Sequence, residues 1–427
     1  METVYTNPND LVIGIILAMA VLMPFVPRNW VLVPLFMTAT YVTLGQFLTI
    51  GTAHFTMIRI LVIFGFIRVF ARGEYRGFRP TTLDTAVALW TVAAISAYTL
   101  LWGTTHAFVN RMGFCLDSTG VYFLCRIYLR TMDDVVRLLA LSALLMIPLA
   151  ASMINEYMTG RNIFAILGGV PDISEIRNNK VRCQGSFRHP ILMGTFGATM
   201  IPLMASLWYQ GRVPRIVAGS GIAAAAVITF CSGSSGALLA AMAGIGGLAA
   251  WPLRRHLGQV RWAGVAAVLL LQLAMNAPFW YVFARLSPLS GGTGWHRAYL
   301  IDQSIRYFGE WWLLGAKVTA HWMPSGLLID PTKADITNQF LAQGVNGGLI
   351  TMILFIAILV RGFGVTGYSV SSHEDFPDKF LAWTMGTALF VHTVSFMSVS
   401  YFDQILVFFL FLLAAIATGG EAAWRQS

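Results

Sequence analysis

The sequence predicts an all-α integral membrane protein, a single polytopic domain over residues 1–427 with about 12 to 14 transmembrane helices and two long extracytoplasmic loops. Three observations carry this. First, the 427 residues are 57% hydrophobic and 11% charged, whereas a soluble domain averages about 25% charged residues and so has the polar surface to cover itself in water. Second, apolar stretches close to the roughly 20 residues needed to cross the hydrocarbon core recur from end to end. Third, positive charge is concentrated in alternate connections between those stretches.

The candidate spans are 11–26, 30–50, 55–71, 83–103, 107–129, 135–154, 189–208, 214–231, 233–250, 262–283, 338–360, 380–399 and 402–419. In lipid the backbone has no water to bond to, so each such run must be a helix. The tight "VPRN" turn joins the first two, and a few residues join the last two.

Loop charge orients these spans. One alternate set of connections holds Arg28; Arg68, Arg72, Arg76 and Arg79; Arg126, Arg130 and Arg137; Arg212 and Arg215; Arg254, Arg255 and Arg261; Arg361 and Lys379; and Arg425. The short loops of the other set, "GTTH", "SGSSG" and "SVSYF", hold no Lys or Arg. By the positive-inside rule the first set is cytoplasmic. Residues 155–188 and 284–337 are then the long outer loops, which carry basic residues without contradicting the rule because long loops translocate largely regardless of charge. The second is rich in tryptophan, and "DQSIRYFGEWWLLGA" suits an amphipathic helix resting at the membrane interface.

The net charge of +9 comes with no nucleic-acid-binding motif or basic tail, so no nucleic acid is expected as a partner. Cys115, Cys125, Cys183 and Cys231 form no CxxC or zinc-like spacing. The outer loops have no Asp-x-Asp pair, the "DD" at 133–134 falls on the cytoplasmic side, and neither a metal nor any other cofactor is expected. The first apolar segment follows an acidic start and lacks a cleavable-signal pattern. No internal repeat stands out, which argues against a transporter of inverted halves.

The chemistry concentrates around "NNKVRCQGSFRHPILMGTFGA". Here Arg182, Gly185, Ser186, Phe187, Arg188 and Pro190 precede a helix entering the membrane from outside. Arginine presents a forked, permanent cation suited to phosphate, and a helix N-terminus adds amide donors for the same anion. The alternative is plain juxtamembrane pairing with lipid headgroups, Asp172 or Glu175.

With these residues the chain resembles the bacterial O-antigen ligase and O-antigen/exopolysaccharide polymerase superfamily. Arg182, Gly185, Ser186, Phe187 and Pro190 match that family's Arg, Gly, small hydroxylated residue, Phe and Pro at a helix mouth. Two further elements follow in order: "HRAYLIDQSIRYFGEWWLLGA" with Arg297 and Gly315, and "TNQFLAQGVNGGLI" with Asn338, Gly344 and Gly348. Two departures stand out. Asp335, Ile336 and Thr337 occupy the place where the ligases carry a His, and Ser235 stands where the family's short outer loop carries an Arg.

The resemblance implies a GT-C-like membrane glycosyltransferase in the bacterial cytoplasmic membrane, multi-pass and metal-independent. Its donor is an undecaprenyl-pyrophosphate-linked glycan, and its acceptor is another glycan or lipid A core. Membrane lipid and other envelope polysaccharide assembly proteins are the remaining partners it implies. Arg182 and Arg297, assisted by Arg188, are the expected pyrophosphate ligands, and His321, Asp335 and His296 the candidates for the base. Without the ligase His the reading leans to a polymerase. A transporter or flippase of lipid-linked sugars is the rival from another class. Asp117, inside a span, is expected to pair with an Arg from another helix. Asp403, His392, His54 and Arg59 stand near the outer ends of spans.

Overall fold

The computed structural model describes residues 9–51, 53–282, 284, 285, 294–324 and 328–426; residues 286–293 and 325–327 of the second long loop lie outside them. The chain is mostly helical. Sixteen helices carry the fold: α1 (Asp10–Leu22), α2 (Val33–Tyr41), α3 (Met57–Ala71), α4 (Thr82–Trp102), α5 (Thr105–Cys115), α6 (Val121–Tyr128), α7 (Met132–Thr159), α8 (Pro190–Leu207), α9 (Arg215–Cys231), α10 (Ser235–Ala249), α11 (Leu257–Ala274), α12 (Gly294–Arg306), α13 (Phe308–Trp311), α14 (Gln339–Ser372), α15 (Phe376–Phe396) and α16 (Gln404–Gln426). A π-helical turn, Leu116–Gly120, joins α5 to α6.

Among the described residues, six segments are long and apolar enough to cross a membrane: α4, α7, α8, Trp251–Ala274, α14 and Gln404–Ala422. The shorter apolar helices α1, α9 and α10 join them. This defines a multi-pass helical membrane protein. α11 buries none of its residues; an apolar helix bare on every side is stable only with lipid around it.

α8 is the axis of the bundle. All of its 18 residues except Ile201 and Ala205 are buried, against α7, α9, α10 and α15. Glycines let α9 approach closely: a Cβ on Gly197 would meet the Ala225 carbonyl and Thr229. Small residues at helix contacts serve this purpose in membranes, where packing rather than the hydrophobic effect drives association.

Two expected spans are corrected. The stretch 30–50 holds only the nine residues of α2 before the chain turns into the hairpin Phe47–Ile50 and Ala53–Thr56. Nine helical residues reach about 14 Å, half of the roughly 30 Å hydrocarbon core. The stretch 338–360 is also not one span. Gly348 has φ +76°, and Phe340 and Phe355 on either side of it have ring centroids 6.1 Å apart. Fifteen residues of straight helix would separate them by about 22 Å. α14 therefore folds back on itself, with a short limb 339–347 and a long one 349–372.

The arginine-rich connections gather at one end of the bundle. Arg68, fully buried, donates to the Met23 and Val26 carbonyls and pairs with Glu74 at 3.0 Å. Arg126 pairs with Asp84 at 2.9 Å and with Glu421 at 3.4 Å, and Tyr122 also donates to Asp84. Arg28 reaches the Tyr128 carbonyl and Arg212 pairs with Asp133. These bonds tie α1, α3, α4, α6 and α16 together by charge.

The Arg126→Met substitution leaves Asp84 buried without a cation, with the Tyr122 and Thr81 hydroxyls as its remaining side-chain partners. Breaking one side of a buried pair costs about 3–5 kcal/mol. The thermal midpoint in detergent falls accordingly, and Arg126→Met/Asp84→Leu recovers most of the loss. A single variant as stable as the parent would show that the pair contributes nothing.

Candidate functional site at the loop-rich end

The opposite end carries the long loops. The first forms a hairpin of β3 (Glu175–Arg177) and β4 (Lys180–Arg182), turned by Asn178 and Asn179 at φ 50° and 61°. Its register sets Glu175 opposite Arg182. Arg182 is 5% exposed, and its Nη1 lies 2.6 Å from Glu175 Oε2. Glu175 also takes Arg177 at 2.8 Å. Burial pushes the Glu175 carboxyl up, yet the two guanidinium groups outweigh it and hold it below the usual range. Burial lowers the Arg182 pKa, against the pull of Glu175. Of the two acids expected as alternatives, Glu175 takes Arg182, and Asp172 pairs with Arg161 at 2.5 Å.

The turn after Arg182 is built around a carboxylate from α7. Glu156, 1% exposed, accepts the backbone N–H groups of Gln184 at 3.0 Å and Gly185 at 2.9 Å, and the Ser174 hydroxyl at 2.9 Å. Gly185 sits at φ +54° with Met193 and Met153 where a side chain would go. The Ser186 hydroxyl donates to the Thr40 carbonyl at 2.5 Å, and Gln404 donates to the carbonyls of Ser186 and Val42. Phe187 is buried and stacks on Phe196 at 5.6 Å. His189 caps α8 by accepting the Ile191 N–H, and Pro190 takes the first helical position, where a missing N–H is harmless. Gly185, Ser186, Phe187 and Pro190 thus shape the turn. Arg188, at its exit, pairs with Asp403 at 3.2 Å beside the Phe402 ring.

The second loop has its own small core of Leu300, Trp311, Trp322, Met323, Ala334 and Val345. The helix expected from "DQSIRYFGEWWLLGA" ends at Arg306, with the single turn of α13 after it. The loop docks on the break in α14: Ala316 N–H donates to the Val345 carbonyl at 2.9 Å and Leu349 N–H to the Trp312 carbonyl at 2.7 Å. A Cβ on Gly348 would overlap the Leu313 carbonyl, and one on Gly315 the Val345 carbonyl. Asn338 caps the short limb, accepting from the Phe340 and Leu341 N–H groups.

The remaining candidates lie on this loop. His296 is 5% exposed with its Nε2 unpartnered, and burial followed by Arg297 lowers its pKa. Arg297 is half-buried, its Nε has no partner, and burial lowers its pKa. His321 faces Glu310 at 3.0 Å, which also accepts from the Trp322 indole at 3.1 Å. Asp335 lies just before Asn338, and burial raises its pKa. Arg182 and Arg188 flank the turn into α8, and Arg297 lies on α12 of the second loop.

The buried span charges resolve as pairs. Asp117 meets Arg59 at 2.5 Å, and the buried His392 shares a hydrogen bond with the Tyr401 hydroxyl at 2.7 Å. Glu156, unlike these, was missed by sequence reasoning; an acid near the end of an apolar span was its signal. A partly enclosed cavity of about 180 Å³ also went unforeseen, between α4, α5, both limbs of α14, the loop at 400–402 and α16. Arg111 lines it.

No protein-family model and no curated protein matches this chain. The fold defines the class, a multi-pass helical membrane protein.

His189 sets a pH dependence. Burial, then Arg182, lowers its pKa to about 4. Between about 4 and 6.5 the unfolded chain binds a proton that the folded site excludes, so stability falls as pH drops through that window. Burial raises Asp403 to about 6 despite Arg188, which acts in the opposite sense. The His189 contribution is therefore read as a difference: wild type loses more of its thermal midpoint from pH 6.5 to 4 than His189→Asn, which keeps a helix cap. Parallel pH curves for the two would remove this assignment.

Proposed function

We propose that this protein transfers or polymerises undecaprenyl-pyrophosphate-linked oligosaccharide repeat units at the outer face of a bacterial cytoplasmic membrane, polymerisation being favoured over ligation to lipid A core. The single observation that carries the reading is Arg297. Its guanidinium is half-buried, its Nε is unpartnered, and no described carboxylate forms an ion pair with it. Withdrawing a cation from water without a counter-charge is unfavourable; a diphosphate supplies that charge, and arginine's fork matches its oxygens. The three ordered motifs support the same substrate class.

The chemistry needs a leaving group stabilised and a proton removed. The acceptor hydroxyl attacks the anomeric carbon, the bond from that carbon to the pyrophosphate oxygen breaks, and the pyrophosphate leaves with the electron pair. Donors preorganised for that growing charge are where the rate gain lies. Arg297 is the donor this reading relies on, with His296 beside it. Arg182 and Arg188, each held by an acid, contribute by exchanging Glu175 or Asp403 for phosphate. His321 takes the hydroxyl proton: with Nε2–H turned to Glu310, Nδ1 is left to accept, the arrangement of an oriented general base. Asp335 is the competing base.

In a purified transfer assay, Arg297→Ala lowers the rate about 10²- to 10³-fold with protein level unchanged, and EDTA has no effect. His321→Gln lowers the rate about 10²-fold or more, while Asp335→Asn leaves it near that of the wild type. Normal polymer from the Arg297→Ala strain would end the proposal; repeat units stranded on the lipid carrier inside the membrane would point to a flippase instead.

A further inference from the structure

Arg111 stands apart from the other arginines of the helix bundle. Arg59, Arg68 and Arg126 each meet a carboxylate, as do Arg182 and Arg188 at the loop-rich end. Arg111 meets none among the described residues. Its guanidinium lies 3.8 Å from the Tyr98 ring centroid and 5.3 Å from that of Phe114. Its Nη2 makes long contacts to the Asn346 carbonyl at 3.4 Å and side-chain oxygen at 3.3 Å, and its Nε is buried without a partner. An arginine of a helix bundle that faces a cavity without a carboxylate to offset its charge marks a ligand or ion path.

The cavity in front of it is amphiphilic along its length. Arg111, Asn346 and Phe402 are its loop-end wall, and Gln343, held by the Trp90 indole at 3.0 Å, stands below them. Beyond these the walls are apolar, with Trp90, Phe355 and Leu413. Leu413 is nine residues into α16, about 14 Å from its start. A site with a cation at its mouth and hydrocarbon walls behind is matched by an anion carrying an apolar chain.

We infer that this cavity binds a lipid bearing a phosphate head, the phosphate on the Arg111 guanidinium and the chain running between α4, α14 and α16. The site is separate from Arg297 and does not depend on the transferase reading. The shared chemistry admits two sources, a polyprenyl phosphate or a bilayer phospholipid.

Binding is read without turnover, as thermal stabilisation of the full-length protein in detergent. The probes are undecaprenyl phosphate, dioleoyl phosphatidic acid, undecaprenol and inorganic phosphate. The phosphate lipids stabilise the wild type, the larger shift naming the source, while undecaprenol and inorganic phosphate have little effect. Arg111→Gln weakens binding at least about tenfold, the value of one charge-assisted hydrogen bond. Ala94→Phe, which fills the cavity from α4 and keeps the charge, weakens it as well. Equal binding by wild type and both variants, or equal stabilisation by undecaprenol or by inorganic phosphate, would overturn the inference. Because no sugar donor or acceptor is present, that failure would leave the glycosyl-transfer proposal to stand or fall on Arg297.

Discussion

The break at Gly348 is the constraint on which the loop-rich end depends. A residue at φ +76° facing the Leu313 carbonyl has to be glycine. It divides what would be one 34-residue helix, turns the short limb back toward Phe355, and presents its backbone to the second loop. That loop then bonds on both sides of the break, through the Val345 carbonyl and the Leu349 N–H. Both limbs also wall the cavity, which a straight helix would have left as an ordinary contact with α4 and α16.

Charge organises the two ends differently. At the arginine-rich end the guanidinium groups of Arg28, Arg68 and Arg126 are consumed by the fold, bonded to carboxylates or carbonyls of neighbouring segments. At the other end Arg177, Arg182, Arg188 and Arg59 are matched by Glu175, Asp403 and Asp117. Among the described residues of that end, Arg297 and Arg111 are partly buried with an unpartnered Nε and no acid in an ion pair with them. Paired arginines stabilise geometry; unpaired ones in low-dielectric surroundings favour the arrival of an anion.

The turn from Arg182 to Pro190 shows how a motif can be structural and still belong to a site. Its glycine, serine, phenylalanine and proline hold one backbone path, anchored by Glu156 from α7 and Gln404 from α16. That path fixes where Arg182 and Arg188 emerge. The motif therefore positions its arginines through residues that never face solvent, and the acid that holds it, Glu156, is distant in the chain.

The sequence by itself determined the helical membrane class, because composition and the length of apolar runs follow directly from the energetics of lipid. It also determined the need of Asp117 for an arginine. Only the tertiary structure decided that 30–50 and 338–360 do not each form one straight span, that Glu175 occupies Arg182, and that Arg111 faces a cavity. Periodicity and composition report what a segment buries, averaged along it. Whether a helix turns back at one glycine, or which carboxylate reaches a given arginine, depends on contacts between separate segments, from 7 residues apart for Glu175 and Arg182 to 215 for Arg188 and Asp403, and periodicity does not encode them.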